Sequence, residues 1–156
     1  MNKRIDFNVV QPAAYDAMDA LDRFVNQSSI DKGIQEFIRI RASQINGCAY
    51  CVDAHSRDAR KLGETEQRVF LISAWREAES VFSEEERLVL QMTEEITLIH
   101  QQGLTDATYE KAISVFGKEK TSQLIMTIVT INAWNRIGVA TQLKPVKRMS
   151  QSSQVA

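Results

Sequence analysis

Hydrophobic residues recur with helical spacing along nearly the whole chain, and no segment shows sustained alternation of apolar and polar residues between turn signals. A helix buries a stripe of side chains three and four residues apart, whereas a half-buried strand buries every second one. The pattern therefore predicts an all-α protein in which helices pack on helices. No internal repeat or linker divides the sequence, so we expect a single helical domain.

Capping residues and glycines set the expected helix boundaries. Glycines at 47, 63 and 117 suit helix ends, and Ser83 with Glu86 forms a capping box at a helix start. The predicted helices cover residues 12–26, 30–45, 48–62, 65–74 and 83–102, followed by two more that meet at Gly117 and end near Thr141. We expect residues 1–142 to form the domain and the polar tail, residues 143–156, to be disordered.

Composition excludes several classes of partner. The chain has 156 residues, of which 44% are hydrophobic, and a net charge of -1, so neither nucleic acid nor an anionic membrane is an expected partner. Polar residues interrupt the longest apolar stretch, Ile125 to Ala140, which argues against a membrane span. The N-terminus lacks the apolar core of a secretory signal, so we expect a cytoplasmic protein.

The segment NGCAYCVDAHS, residues 46–56, contains both cysteines and one of the two histidines. On a helix that starts near Cys48, Cys51 and His55 lie at about 300° and 340° from Cys48, so the three share one face. Cytosolic cysteines in a close pair serve catalysis or metal binding more often than structure. A helix N-terminus and a neighbouring imidazole both favour the reactive thiolate.

Three interpretations of this segment remain open on spacing alone. The two cysteines could be small apolar residues of the core, or they could bind zinc together with His55. The sequence has no second Cys/His pair, and three ligands on one short helix would strain a tetrahedral site. Redox chemistry is therefore the favoured interpretation, and we predict neither a metal nor another cofactor.

Glu36, Cys48, Cys51 and His55 together match the pattern E-x11-C-x2-C-x3-H. This pattern resembles the signature of the AhpD-like alkylhydroperoxidase / carboxymuconolactone decarboxylase family. The similarity extends through EFIRIRASQINGCAYCVDAHSRDARKLGE and reaches INAWNRIGVA near the C-terminus, so it covers about residues 15–142.

The resemblance implies an AhpD-like helical bundle that assembles into trimers or hexamers. It also implies that Cys51 attacks a hydroperoxide, that Cys48 closes the disulfide, and that Glu36 and His55 relay the proton. The expected partners are a hydroperoxide substrate and a dithiol or protein reductant. The sequence departs from the best-known AhpD-type enzymes at Tyr50, where those enzymes have a histidine between the two cysteines.

The residues themselves also favour Cys51 as the attacking thiol, with Cys48 as the alternative. His55 lies one turn after Cys51, and a thiolate beside an imidazole base is the activated one. Helix geometry alone also allows Cys48 to be the attacking thiol, because the first cysteine lies closer to the helix start. Glu36 could instead pair with Arg39 or Arg41 without taking part in chemistry.

Two other functions stay open at this point. One is a decarboxylase of the same fold that acts on a carboxylated lactone, although that branch does not rely on a cysteine pair. The other is a redox-sensing oligomer without enzymatic activity.

Five further polar or aromatic positions have structural interpretations. We expect His100 to cap the helix that begins at Ser83, and Trp134 to lie in the core or at a subunit interface. Asn132, Asn135 and Arg136 interrupt an apolar helix, so we expect them to form hydrogen bonds across helices or subunits.

Overall fold

The computed structural model describes residues 4–148, and all regular secondary structure in that range is helical. The prediction of an all-α protein is confirmed. The helices are α1 (Phe7–Val10), α2 (Pro12–Asn26), α3 (Lys32–Ile45), α4 (Ala49–Lys61), α5 (Glu66–Leu71), a 3-10 helix (Ile72–Glu77), α6 (Glu84–Thr97) and α7 (Asp106–Ala140).

Side-chain caps define the starts of the long helices. The Asp31 carboxylate accepts hydrogen bonds from two backbone N–H groups of α3, which explains why this helix begins at Lys32 and not at Ile30 as the sequence predicted. The predicted capping box is present at Ser83, where the hydroxyl and the Glu86 carboxylate satisfy each other's backbone N–H groups. Local polar chemistry therefore sets the helix boundaries.

Two differences from the predicted helices have local causes, and one predicted break is confirmed. Helix α1 has only four residues, too few for a periodic pattern to reveal. The helix predicted for residues 65–74 ends earlier and continues as the 3-10 helix. The predicted break at Gly117 is present inside α7, where a φ of 75° and a ψ of 169° interrupt the helix in a conformation open almost only to glycine.

Helix α3 lies at the centre of the structure, in contact with α4, α6 and α7. One side of α3 packs Ile38 and Ala42 into a core with α6 and α7, and the other packs Phe37 and Ile40 against the α5 region. Because both sides are covered, the polar residue Glu36 on this helix is buried and requires partners.

Residues 143–148 follow α7 as an exposed segment without regular structure. The rest of the tail that we predicted to be disordered, residues 149–156, lies outside the described residues. None of the described helices combines the length and the apolar character that crossing a bilayer requires.

Candidate active site

The turn between α3 and α4 positions both cysteines. Gly47 adopts a φ of 68° and reverses the chain after α3, so that Cys48 becomes the N-cap of α4. In that position its sulfur accepts a hydrogen bond from the backbone N–H of Cys51 at 3.3 Å. The sulfur of Cys48 therefore lies at the positive end of the α4 helix dipole.

The sulfur atoms of Cys48 and Cys51 lie at disulfide-bonding distance, and their Cα atoms are 5.3 Å apart. Both residues are buried, with 2% of Cys48 and 6% of Cys51 exposed. Only Cys51 lines the cavity beside the pair. A molecule in this cavity therefore contacts Cys51 and not Cys48.

The structure brings Glu36 and His55 together, as the family signature implies. The Nδ1 atom of His55 lies 2.8 Å from Oε2 of Glu36, and Arg39 donates a hydrogen bond to Oε1 of the same carboxylate at 2.5 Å. The other ring nitrogen of His55, Nε2, forms no hydrogen bond within residues 4–148, and His55 lines the same cavity as Cys51. The carboxylate thus fixes the imidazole and leaves Nε2 able to exchange a proton.

Helix α7 covers the sulfur pair at Gly138. A Cβ atom added at this glycine would lie 3.3 Å from the sulfur of Cys48 and 3.7 Å from that of Cys51. The wall behind the cysteines is therefore main chain, and a side chain at position 138 would require the Cys48 sulfur or α7 to shift by a few tenths of an ångström.

The asparagines of α7 bond across helices, as we expected. Asn46, in the turn before Cys48, donates to the side-chain oxygens of Asn132 and Asn135 at 2.9 and 3.0 Å. Asn135 in turn donates to the hydroxyl of Ser43 at 2.9 Å. This network holds the turn against α7. Arg136 instead bonds Asn132 within its own helix and is exposed.

The cavity beside Cys51 has a volume of about 700 Å³. The rings of Tyr15 and Trp134 pack edge to face on its wall, with centroids 5.3 Å apart, and Tyr50 lies partly exposed at its rim. Trp134 also packs against the core, as predicted, but its place in the cavity wall was not anticipated. The observed pocket can hold an organic molecule of substantial size.

The Glu36 carboxylate also belongs to a cluster of possible metal ligands. One ligand atom each from Glu36, His55 and Asp58 lie within 4.8 Å of one another. The guanidinium of Arg39 is already bonded to Glu36, and a cation placed in this cluster would face that positive charge. These residues therefore suit proton exchange better than metal binding.

The sequence indicated the four signature residues and missed several others around them. The sequence analysis gives Arg39 only as an alternative partner of Glu36, although its i+3 spacing on the helix predicts an ion pair with that carboxylate. Gly138 and Tyr15 lie far from the cysteines in sequence, and nothing local marked them. His100 lies three residues beyond the end of α6 and is exposed, so the expected cap on that helix was placed wrongly.

The fold and site together define an all-α protein with a Cys-x-x-Cys pair at a helix start, beside a histidine and a carboxylate. The chain belongs to the carboxymuconolactone decarboxylase family, whose model matches residues 12–95. The resemblance inferred from the sequence is confirmed.

Three relatives show how far the similarity reaches. The chain is 39% identical over 140 residues to the uncharacterized protein YdfG of Bacillus subtilis, covering 90% of this chain and 95% of the relative. A solved structure of an Agrobacterium tumefaciens protein of unknown function, with a suggested antioxidant-defence assignment as AhpD, is 35% identical. That match has a TM-score of 0.90 and covers 94% of this chain and all of the other.

The third match shows the fold alone. The debrominase Bmp8 is 17% identical, with a TM-score of 0.76 over 86% of this chain and 72% of its own. Because a debrominase shares this architecture, the reaction has to be argued from the site and not from the fold.

Proposed function

We propose that the protein is a thiol-dependent peroxidase that reduces organic hydroperoxides through the Cys48–Cys51 pair. The main support is one observation: the two sulfurs lie at disulfide-bonding distance, and only Cys51 lines the cavity, beside the Glu36–His55 pair. This arrangement supplies a nucleophile, a base and a resolving thiol within one pocket.

The first half of the cycle oxidises Cys51. His55, oriented by Glu36, takes the proton of the Cys51 thiol, and the thiolate attacks the terminal oxygen of the hydroperoxide. The O–O bond breaks, the proton returns to the departing oxygen, and an alcohol leaves. Cys51 is then a sulfenic acid, and the peroxide has gained two electrons.

The second half closes and reopens the disulfide. The Cys48 thiol attacks the sulfenic sulfur, which forms the disulfide and releases water. A dithiol or protein reductant then attacks the sulfur of Cys51, and Cys48 leaves as a thiolate. The hydrogen bond from the Cys51 backbone N–H stabilises that leaving group at the helix start. The second thiol of the reductant attacks the mixed disulfide at the reductant's own sulfur, which releases Cys51 and completes the reduction. A cytosolic setting would supply such reductants.

Single cysteine variants test the proposal. We expect Cys51→Ser to abolish turnover of cumene hydroperoxide with dithiothreitol as reductant, because the attacking sulfur is lost. Without a reductant, Cys48→Ser should consume about one equivalent of peroxide and leave a sulfenic acid on Cys51, which dimedone traps for mass spectrometry. Retention of turnover by Cys51→Ser would overturn the mechanism.

The decarboxylase that gives the family its name is the alternative, and the same proteins distinguish it. A decarboxylase of this fold needs no cysteine pair, so release of carbon dioxide from carboxymuconolactone should persist in a Cys48→Ser/Cys51→Ser double variant if that activity is present. The closeness of the two sulfurs favours the peroxidase.

A further inference from the structure

The cavity beside Cys51 is far larger than the smallest peroxide requires. Its volume is about 700 Å³, whereas a water molecule occupies roughly 30 Å³ in the liquid and hydrogen peroxide is only about twice as large. Cavities of roughly 300–1,000 Å³ accommodate organic ligands of drug size. The space is therefore suited to a hydroperoxide with a substantial organic body.

The walls of the cavity indicate what that body is made of. The Tyr15 and Trp134 rings form one side, and Ile131, Ile137 and Leu143 contribute aliphatic surface. Aromatic and branched aliphatic side chains bind apolar groups by excluding water from both surfaces. The body of the substrate is thus expected to be aromatic or aliphatic.

Most charged groups that line the cavity already have partners. Arg39 is bonded to Glu36, and its Nη2 atom lies 3.7 Å from a carboxylate oxygen of Asp22. Asp22 also accepts a hydrogen bond from Asn26 at 2.8 Å, and Asp6 caps α1 by accepting from a backbone N–H. Each of these charged groups therefore has a partner within the protein, although together they carry more negative than positive charge.

Arg4 and Lys144 are the exceptions. Both line the cavity, and no carboxylate oxygen within residues 4–148 lies within 4.0 Å of their side-chain nitrogens. Within the same range, the Arg4 guanidinium donates to a neutral acceptor, the backbone oxygen of Ala140, at 2.7 Å. Two cations from opposite ends of the described chain therefore line one cavity, and neither has an ion-pair partner among the described residues.

We propose that the substrate is an amphipathic hydroperoxide, with an apolar body in the cavity and a carboxylate bound by Arg4 and Lys144. The inference rests on the proposed peroxidase function, which it narrows to the hydroperoxides of apolar carboxylic acids. An arginine and a lysine together offer charged donors in the number that a carboxylate accepts.

A matched pair of substrates tests the charge directly. Cumene hydroperoxide and its 4-carboxylate derivative have the same body and differ only in the anionic group. We expect the carboxylate to be turned over with about tenfold higher kcat/KM, mainly through a lower KM, because the anion binds away from the reacting atoms.

Removing the two cations should remove that preference. In an Arg4→Gln/Lys144→Gln variant the ratio of the two kcat/KM values should fall to about one. A Lys111→Gln/Lys118→Gln variant removes two exposed charges that do not line the cavity and should retain the preference. Equal kcat/KM values in the wild type, or a preference that survives in the first variant, would overturn the inference.

A binding measurement separates this inference from the peroxidase itself. By calorimetry, we expect 4-isopropylbenzoate to bind about tenfold more tightly than 4-isopropylbenzamide, and Arg4→Gln/Lys144→Gln to abolish the difference. Turnover of cumene hydroperoxide without charge-dependent binding would refute the carboxylate site and leave the peroxidase standing. Charge-dependent binding without turnover of any peroxide would refute the peroxidase and leave the anion site standing.

Discussion

The two carboxylate oxygens of Glu36 contact two different side chains. Oε1 accepts from Arg39 and Oε2 faces Nδ1 of His55, while only 7% of the side chain is exposed. A buried carboxylate in this position fixes the orientation of the imidazole and balances the positive charge that the ring acquires with a proton. The arginine keeps the carboxylate in place for that role.

Replacing Glu36 by glutamine tests the proton relay. Glu36→Gln keeps the shape of the side chain but removes the charge, so we expect kcat/KM for cumene hydroperoxide to fall about 100-fold. Asp58→Asn is the matched control, because Asp58 lies close to the same two groups but pairs with Lys61. Equal losses in the two variants would argue against a specific role for Glu36.

For individual residues, the sequence predicts the members of the site that lie in one short segment but not those that come from elsewhere in the chain. The signature residues are within twenty positions of one another, on two consecutive helices, so spacing and helix phase could relate them. Gly138 and Trp134 reach the site only because α7 packs against α4, and Arg4 reaches it only because its guanidinium bonds the backbone oxygen of Ala140 at the end of α7. Such contacts depend on tertiary packing, which no local pattern encodes.

At the scale of helices, Glu94 connects three elements. It lies on α6 and accepts hydrogen bonds from Arg41 of α3 and from the Trp75 indole of the 3-10 helix, each at 2.8 Å, and from Arg76. Burial alone would raise the pKa of Glu94, but the bonds from Trp75, Arg76 and Arg41 outweigh it and lower the pKa below its ordinary 4.5. The ionised form therefore stabilises the fold.

We expect Glu94→Gln to lower the free energy of unfolding by about 1.5 to 3 kcal/mol at pH 7, as measured by urea denaturation. Because the folded pKa lies below the unfolded one, this contribution is complete above the unfolded pKa and is lost as the pH falls through the folded pKa. The difference from wild type should therefore shrink in acid.

Glu79→Gln provides the control for an exposed pair. Glu79 lies 3.3 Å from Arg87 and 70% of its side chain is exposed, so its removal should cost less than about 1 kcal/mol. An equal loss of unfolding free energy in the two variants would contradict the larger contribution expected for the buried Glu94.

The helices also differ in how well the sequence predicted them. The long helices α2, α3, α4 and α6 were predicted because each has an amphipathic pattern and a recognisable start or stop residue. The 3-10 helix at Ile72–Glu77 was not, because its bonding pattern is a response to the packing of Ile72 and Trp75 in the core.

The whole molecule presents apolar side chains that the described chain does not cover. Val9 and Phe70, at 75% and 70% exposed, are examples far apart in sequence. Single exposed apolar residues are normal on a protein surface, and only a contiguous patch indicates an interface. Assembly into trimers or hexamers therefore stays a prediction that the family resemblance implies.

We expect light scattering after size exclusion to give three or six times the 17.7 kDa of one chain. Measured on the oxidised and reduced protein, the same experiment addresses the redox-sensing alternative. A change in subunit number together with no peroxide turnover would favour a sensor, whereas an unchanged assembly with turnover would favour the enzyme. A mass of one chain in both states would contradict the assembly.

The close approach of α7 to the cysteines also matters for recognising related proteins. Any residue other than glycine at position 138 introduces a Cβ atom that would lie about as near the Cys48 sulfur as the 3.3 Å found here for the added atom. The pattern E-x11-C-x2-C-x3-H ends at His55 and does not include this position. A larger residue there would require the Cys48 sulfur or α7 to shift by a few tenths of an ångström, so the residue that aligns with Gly138 is worth comparing among chains that match the pattern.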